Sequence, residues 1–290
     1  MKKDLLALRD LSVAEIMEIL LEAEKIEKGK VFDLSDKIVA SLFFETSTRT
    51  QYSFLTAMAK LKIQALNFNP AGSSLSKGES FYDTIKTFES FGIDALVIRH
   101  SEDEYYKQLE NIKIPIINGG DGAKDHPTQS LLDIYTIYQE FKAFQGLKIA
   151  IVGDIKHSRV AHTNIEVMKR LGMEVYLSGP KEFWEKDFDF LDLEEVLPQV
   201  DIVMLLRVQN ERHQSLFKLT NAEYLEKYGL TMAKVKKMKA NSIIMHPAPF
   251  NRGVEIADDV VECDKSRIFK QMANGVFIRQ AVLKRSLINE

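Results

Sequence analysis

Residues 38–61 read IVASLFFETSTRTQYSFLTAMAKL. The apolar run from Ile38 through Phe43 and Phe44 suits a buried strand, and it closes on Glu45. After Thr46 come Ser47, Thr48, Arg49 and Thr50, and then Phe54, Ala57, Met58 and Leu61 recur at helical spacing. Strand, polar turn and amphipathic helix make a βα unit, and in open parallel α/β sheets ligands bind beyond the carboxyl ends of the strands. Three hydroxyls and a guanidinium fall at this one helix start. A helix amino terminus presents unpaired N–H groups and partial positive charge, so the turn suits a phosphate. One Ser or Thr would serve an ordinary N-cap, a role that neither requires nor explains Arg49.

The same alternation extends in both directions. Strands are expected near Ile38 to Phe44, Ala65 to Phe68, Ala95 to Ile98 and Ile114 to Ile117, and helices near Val13 to Lys28, Thr50 to Leu61, Asp83 to Phe91 and Pro127 to Phe141. It restarts after Phe144, Gln145 and Gly146, with strands at Lys148 to Val152, Glu174 to Leu177, Ile202 to Leu206 and Ser242 to Met245. The fold class is therefore α/β, with two doubly wound domains, each a parallel sheet flanked by helices. A length of 290 residues supports two cores. Residues 1–133 form the expected first domain, joined by a closing helix from 276 to 290, and residues 134–275 the second. The helix from Gln129 to Glu140 is expected to bridge the lobes.

A net charge of -3 sets up no global field favouring nucleic acid or an anionic membrane, so any anion must be bound locally. The single cysteine, Cys263, excludes an internal disulfide framework and a cysteine-built zinc site, and fits a reducing cytoplasm. No apolar stretch approaches the roughly 20 residues that span a bilayer, and the amino terminus lacks a signal-like apolar core. A soluble cytoplasmic protein is expected.

Polar residues collect at the predicted strand ends. In the first lobe, Arg99 follows Val97 and Ile98, and the run after Ile117 is Asn118-Gly119-Gly120-Asp121-Gly122, followed by His126, Pro127, Thr128 and Gln129. Pro127 suits a first helical turn, and Gln129 follows His126 by three residues, so both can face the crevice of Arg49 and Arg99. In the second lobe, Val152 leads into Gly153-Asp154-Ile155-Lys156, with a helix starting near Ser158 and Arg159. One glycine there is not a dinucleotide fingerprint, and no cofactor is expected. Leu206 runs into Arg207, followed by Gln209, Glu211 and Arg212, and Met245 into His246-Pro247-Ala248-Pro249. The first lobe thus suits a dianion, and the planar forks of Arg159 and Arg207 suit carboxylates. Two anionic substrates are expected to meet between the lobes. No nucleophile with a positioned base is evident, and the histidines at 100, 157, 162 and 213 show no metal-ligand spacing and are expected on the surface or in loops.

Taken together, FFETSTRT (43–50), SKGES (76–80), VIRH (97–100), HPTQSLLD (126–133), IVGDIKHSRVAH (151–162), LLRVQNER (205–212) and HPAP (246–249) resemble, in order and spacing over nearly the whole chain, the aspartate carbamoyltransferase catalytic chains of the aspartate/ornithine carbamoyltransferase superfamily. The resemblance implies that Ser47, Thr48, Arg49 and Thr50 hold the phosphate of carbamoyl phosphate, that Thr50, Arg99 and His126 surround the carbamoyl oxygen, and that Gln129 holds the carbamoyl amine. It implies Arg159, Arg207 and Gln209 on the aspartate carboxylates, backbone near Pro247 and Ala248 completing that pocket, and ion pairs of Glu45, Glu211 and Arg212 in a closed state.

The segment from Gly72 to Gly78 reads by itself as a flexible, solvated loop. The resemblance instead implies that Ser74 and Lys77 enter a neighbouring subunit's active site, in a homotrimer with shared sites. Lys77 would then touch both substrates. Three positions depart from the family pattern: Gln51 where Arg is usual, Asp125 where Gln is common, and Phe250 where a smaller residue is usual. Less positive charge predicts weaker carbamoyl phosphate binding than in typical relatives. An ornithine carbamoyltransferase would carry Cys-Leu-Pro where this chain has Pro247-Ala248-Pro249, and a silent scaffold or anion-binding protein would have no need to keep Lys77, Arg49, Thr50, Arg99 and His126 together.

Overall fold

In the computed structural model, residues 2–184, 188–208 and 219–288 are described. The chain divides into two compact units, Met1–Leu132 with Asn274–Glu290, and Asp133–Ala273.

The first unit is built on β1 (Ile38–Phe43), β2 (Gln64–Phe68), β3 (Ala95–His100) and β4 (Ile116–Asp121), all parallel in the order β2-β1-β3-β4. Helices α1 (Val13–Glu27), α2 (Thr48–Lys60) and α3 (Phe81–Ser90) follow the strands or precede them, and α4 (Pro127–Phe141) begins in this unit and continues into the second. The central strands are apolar nearly throughout because a parallel sheet is covered on both faces. Val39, Ala40, Leu42, Leu96 and Ile98 are all buried. The edge strand β2 leaves Gln64 through Asn67 exposed. α1 shows how sequence sets an end: Ser12 accepts from the Glu15 N–H while the Glu15 carboxylate accepts from the Ser12 N–H, and Ile16, Ile19, Leu20, Ala23 and Ile26 turn one stripe inward.

The second unit repeats the plan with β5 (Lys148–Val152), β6 (Glu174–Ser178), β7 (Ile202–Leu205) and β8 (Ile243–Met245), parallel in the order β6-β5-β7-β8. It carries α5 (Arg159–Arg170), α6 (Leu193–Val196), α7 (Asn221–Lys227) and α8 (Met232–Val235). Gly153, directly after β5, has φ +127°, and a Cβ there would lie 3.1 Å from the Leu206 carbonyl, so only glycine permits this approach of two strand ends. The last helix, α9 (Ile268–Leu287), begins in the second unit and ends in the first. There Lys284 pairs with Glu22 at 3.3 Å, and Arg285 donates to the Asp4 carbonyl at 3.0 Å.

Several elements differ from their expected bounds. α2 starts at Thr48, which puts Arg49 inside its first turn, and α9 starts at Ile268 rather than Val276. β3 continues through Arg99 and His100, and β4 through the Asn118-Gly119-Gly120 run expected to lie past its end. Pairing with β3, including His100 with Asp121 past a bulge, holds these poor strand formers in place. Residues 70–77 form two short 3-10 turns, Pro70–Gly72 and Ser74–Lys77. His100 is half-buried against Phe44, Phe81 and Tyr105 rather than solvated, a correction to its reading as a surface residue.

Candidate active site

The carboxyl edge of the first sheet gathers four side chains from four chain segments. Arg99, on β3, is buried, and its Nη2 lies 3.0 Å from Oε2 of Glu45, just past β1. Its Nη1 donates to the Gly119 carbonyl of β4 at 3.2 Å and lies 3.5 Å from Nε2 of His126, at the start of α4. The same imidazole nitrogen is 3.4 Å from the Thr50 hydroxyl, on the first turn of α2. Arginine can only donate, so Nε2 faces Arg99 as an acceptor. Thr50, Arg99, His126 and Gln129 are all less than a tenth exposed.

The start of α2 differs from other helix starts of this protein. In α1, α3, α5, α7 and α8 the N-cap hydroxyl accepts a first-turn N–H. Ser47 caps α2 with no such side-chain bond. The positive end of α2 thus carries no hydroxyl cap of its own, and it lies beside the exposed Arg49 and the buried Thr50. Lys77 is exposed on its 3-10 turn, and Ser74 opens that turn.

Arg9, Asp103, Glu104 and Tyr106, which sequence reading passed over, join Asp121 and Asp125 in shaping the loop before His126. Asp121 accepts from the Asp125 N–H at 2.6 Å and from the Glu104 N–H at 2.7 Å, and Asp103 accepts from Ala123 N–H at 2.7 Å. Arg9 reaches Asp125 Oδ2 at 2.7 Å, the Tyr106 hydroxyl at 2.9 Å and Glu104 at 3.2 Å. Burial pushes the carboxyls of Asp121 and Asp125 upward, which backbone N–H groups oppose at Asp121 and Arg9 opposes at Asp125. The acid before His126 is therefore matched by Arg9. Gln51 donates to Asn67 on the edge strand at 2.8 Å. Arg279 of α9 is buried, with Nη2 3.4 Å from the Thr128 hydroxyl and its guanidinium 5.0 Å over Phe54.

In the second unit, adjacent strands β5, β7 and β8 deliver their polar ends to one edge. Asp154, fully buried after β5, accepts from the backbone N–H of His157 at 3.2 Å and lies 2.9 Å from its Nδ1. Ser158 caps α5 by accepting from Ala161, and Arg159 is the first helical residue. Arg207 follows β7, and the His246–Pro249 turn follows β8, with Arg159, Arg207, Pro247 and Ala248 partly exposed. Phe250 stands edge-on to His246 with ring centres 5.6 Å apart and packs on the core of the unit. Gln209, Glu211, Arg212 and His213 lie outside the described residues.

Residues 3–139 match the carbamoyl-P binding domain of the aspartate/ornithine carbamoyltransferases, and residues 145–285 match the Asp/Orn binding domain of the same enzymes. This chain belongs to the aspartate/ornithine carbamoyltransferase family. Among solved structures of aspartate transcarbamoylases it is similar to the Trypanosoma cruzi protein in complex with carbamoyl phosphate, at 31% identity and a TM-score of 0.89, over 99% of this chain and 96% of that one. The same Trypanosoma cruzi protein in complex with N-(phosphonacetyl)-L-aspartic acid aligns at 31% identity and a TM-score of 0.88, with the same coverage. The catalytic subunit of M. jannaschii aspartate transcarbamoylase shares 35% identity at a TM-score of 0.86, covering 98% of this chain and 97% of that one. In this carbamoyltransferase-family chain, Thr50, Arg99 and His126 converge beside a helix start without a hydroxyl cap.

Proposed function

We propose that this chain transfers the carbamoyl group of carbamoyl phosphate to the amino group of L-aspartate, giving N-carbamoyl-L-aspartate and phosphate, an early step of pyrimidine biosynthesis. The observation that carries the reading is the Glu45–Arg99–His126–Thr50 cluster next to the first turn of α2. Ser47, Thr48, Arg49 and Thr50 hold the phosphate, Arg99, Thr50 and His126 surround the carbamoyl oxygen, and Gln129 takes the carbamoyl amine. Arg159, Arg207 and Gln209 bind the aspartate carboxylates, with backbone at Pro247 and Ala248, and Glu45, Glu211 and Arg212 supply the ion pairs of the closed state.

The neutral amine of aspartate attacks the carbamoyl carbon, a C–N bond forms, and the bond from carbon to the phosphate oxygen breaks. The amine proton passes to the departing phosphate, so no protein base is needed. Charge grows on the carbonyl oxygen and then on phosphate, where fixed cations and donors stabilise it without reorganising. Alignment of the two reactants supplies up to about 7–11 kcal/mol more.

The chain works in this reading as a cytoplasmic homotrimer, in which Ser74 and Lys77 serve a neighbouring copy's site. The exposure of Lys77 supports this. Among the described residues no helix is long and apolar enough to cross a membrane. The test is phosphate release by the purified chain with carbamoyl phosphate and either aspartate or ornithine. Aspartate-dependent release, lost in Arg49→Ala, is expected. Ornithine-dependent release would transfer the assignment to the sister activity, and no release with either would leave an anion-binding scaffold.

A further inference from the structure

Asp133, the first residue of the second unit, lies on α4 with its side chain fully buried. Its Oδ2 accepts from the Asn164 amide on α5 at 2.7 Å, and its Oδ1 accepts from the Gln271 amide on α9 at 2.6 Å. The other end of Gln271 accepts the backbone N–H of His246 at 3.0 Å. His246 in turn accepts, through Nδ1, the backbone N–H of Ala248 at 2.9 Å. Asn164 also touches the Met204 sulfur of β7 at 3.3 Å. All four polar side chains are at most 1% exposed.

The polarity of this chain of bonds runs one way. A backbone N–H can only donate, so the Gln271 oxygen must face His246 and its amino group must face Asp133. Asp133 must therefore accept on that side, and the carboxylate accepts from Asn164 on the other. Ala248 has φ +56°, a left-handed conformation that a non-glycine residue keeps only when its surroundings hold it. Its N–H bond to His246 is one of those restraints.

Resting on the aspartate reading above, we infer that Asp133 and Gln271 are positioning residues for the amino-acid substrate. The pair ties α5, which starts with Arg159, to the turn containing Pro247 and Ala248. Neither side chain touches substrate; they set where the groups that do are placed.

The test uses Asp133→Asn, Gln271→Glu and the double variant. In Asp133→Asn the new NH2 group faces the NH2 of Gln271 or of Asn164, donor against donor, and in Gln271→Glu two carboxylates face each other. The double variant reverses the shared bond. Its new carboxylate at position 271 accepts from the His246 N–H and from the new amide at position 133, whose oxygen still accepts from Asn164. Each single change is expected to raise KM for aspartate about tenfold, with the Kd for carbamoyl phosphate within about twofold of the parent. The double variant should return KM to within about threefold. Unchanged KM in the singles, or a double variant no closer to the parent than the singles, overturns the inference. Equal losses in KM and carbamoyl phosphate affinity overturn it too, because they mark a general structural defect. If one single fails to fold, the double against the other single decides. A parent protein that turns over no aspartate defeats the functional reading instead, before any variant is compared.

Discussion

Arg99 carries the clearest single-residue prediction, because one buried guanidinium meets Glu45, Gly119 and His126 at once. In the proposed mechanism it faces an oxygen whose charge grows only as the bond forms. Arg99→Ala should therefore lower kcat by about 10²–10³ while carbamoyl phosphate binding falls far less, as steady-state kinetics with calorimetry would show. Comparable losses in both would mean that Arg99 holds the ground state. Asp125 and Gln51 separate in the structure although sequence reading grouped them. Arg9 sits 2.7 Å from Asp125 and offsets its charge, whereas Gln51 only bonds Asn67. Gln51→Arg is expected to tighten carbamoyl phosphate binding several-fold. Asp125→Gln removes a charge that Arg9 already offsets and leaves Arg9 on Glu104 and the Tyr106 hydroxyl, so it is expected to change that binding by less than Gln51→Arg does. A larger gain from Asp125→Gln than from Gln51→Arg in a titration would refute the role given to Arg9.

Elements explain what was legible and what was not. β1, β5 and α4 declare themselves through apolar runs and helical spacing, and α4 spans Pro127 to Phe141 as expected. Arg99 was legible because it follows an apolar run, and Thr50 and His126 because each stands at a helix start in the turn after a strand. The strand character of Asn118-Gly119-Gly120 was not legible, since it depends on pairing with β3 rather than on those residues. Arg9 stands 116 residues from Asp125, and nothing local in either segment points to the other. Buried Lys234 was missed for another reason, since a lysine reads as a solvated residue and its partners are backbone carbonyls, which leave no sequence signature. Burial lowers the pKa of its ammonium, yet it donates to the carbonyls of Leu225, Glu226 and Gly229 at 3.4, 2.6 and 2.8 Å and closes the carboxyl end of α7. Lys234→Met should cost about 2–3 kcal/mol of stability in denaturant melts. A loss of less than about 0.5 kcal/mol would show that water serves those carbonyls equally well.

At the scale of the whole molecule, surface carboxylates held low by lysines add a small, salt-screened contribution to the pH dependence of stability. Hydrogen bonds from Lys107 and then Lys124 hold Glu104 at about 2, and Lys62 holds Asp33 at about 2. An unfolded glutamate titrates near about 4.3, so between these values the unfolded chain binds more protons and stability rises with pH. The contribution is complete above about pH 4.5 and is lost as pH falls toward about 2. Parent and Glu104→Gln should thus differ in midpoint at pH 7 and converge by about pH 2; a constant gap would refute the pairing. Both sheets share one strand order, and each unit brings an arginine to its own carboxyl edge, Arg99 in the first and Arg207 in the second. The proposed transfer is tested most directly by mixing the protein with ¹³C-carbamoyl phosphate and ¹⁵N-aspartate and following the carbon by NMR. A new carbamoyl resonance split by one-bond coupling to ¹⁵N, appearing as phosphate is released, is predicted. Consumption of carbamoyl phosphate without that coupling would contradict transfer to aspartate.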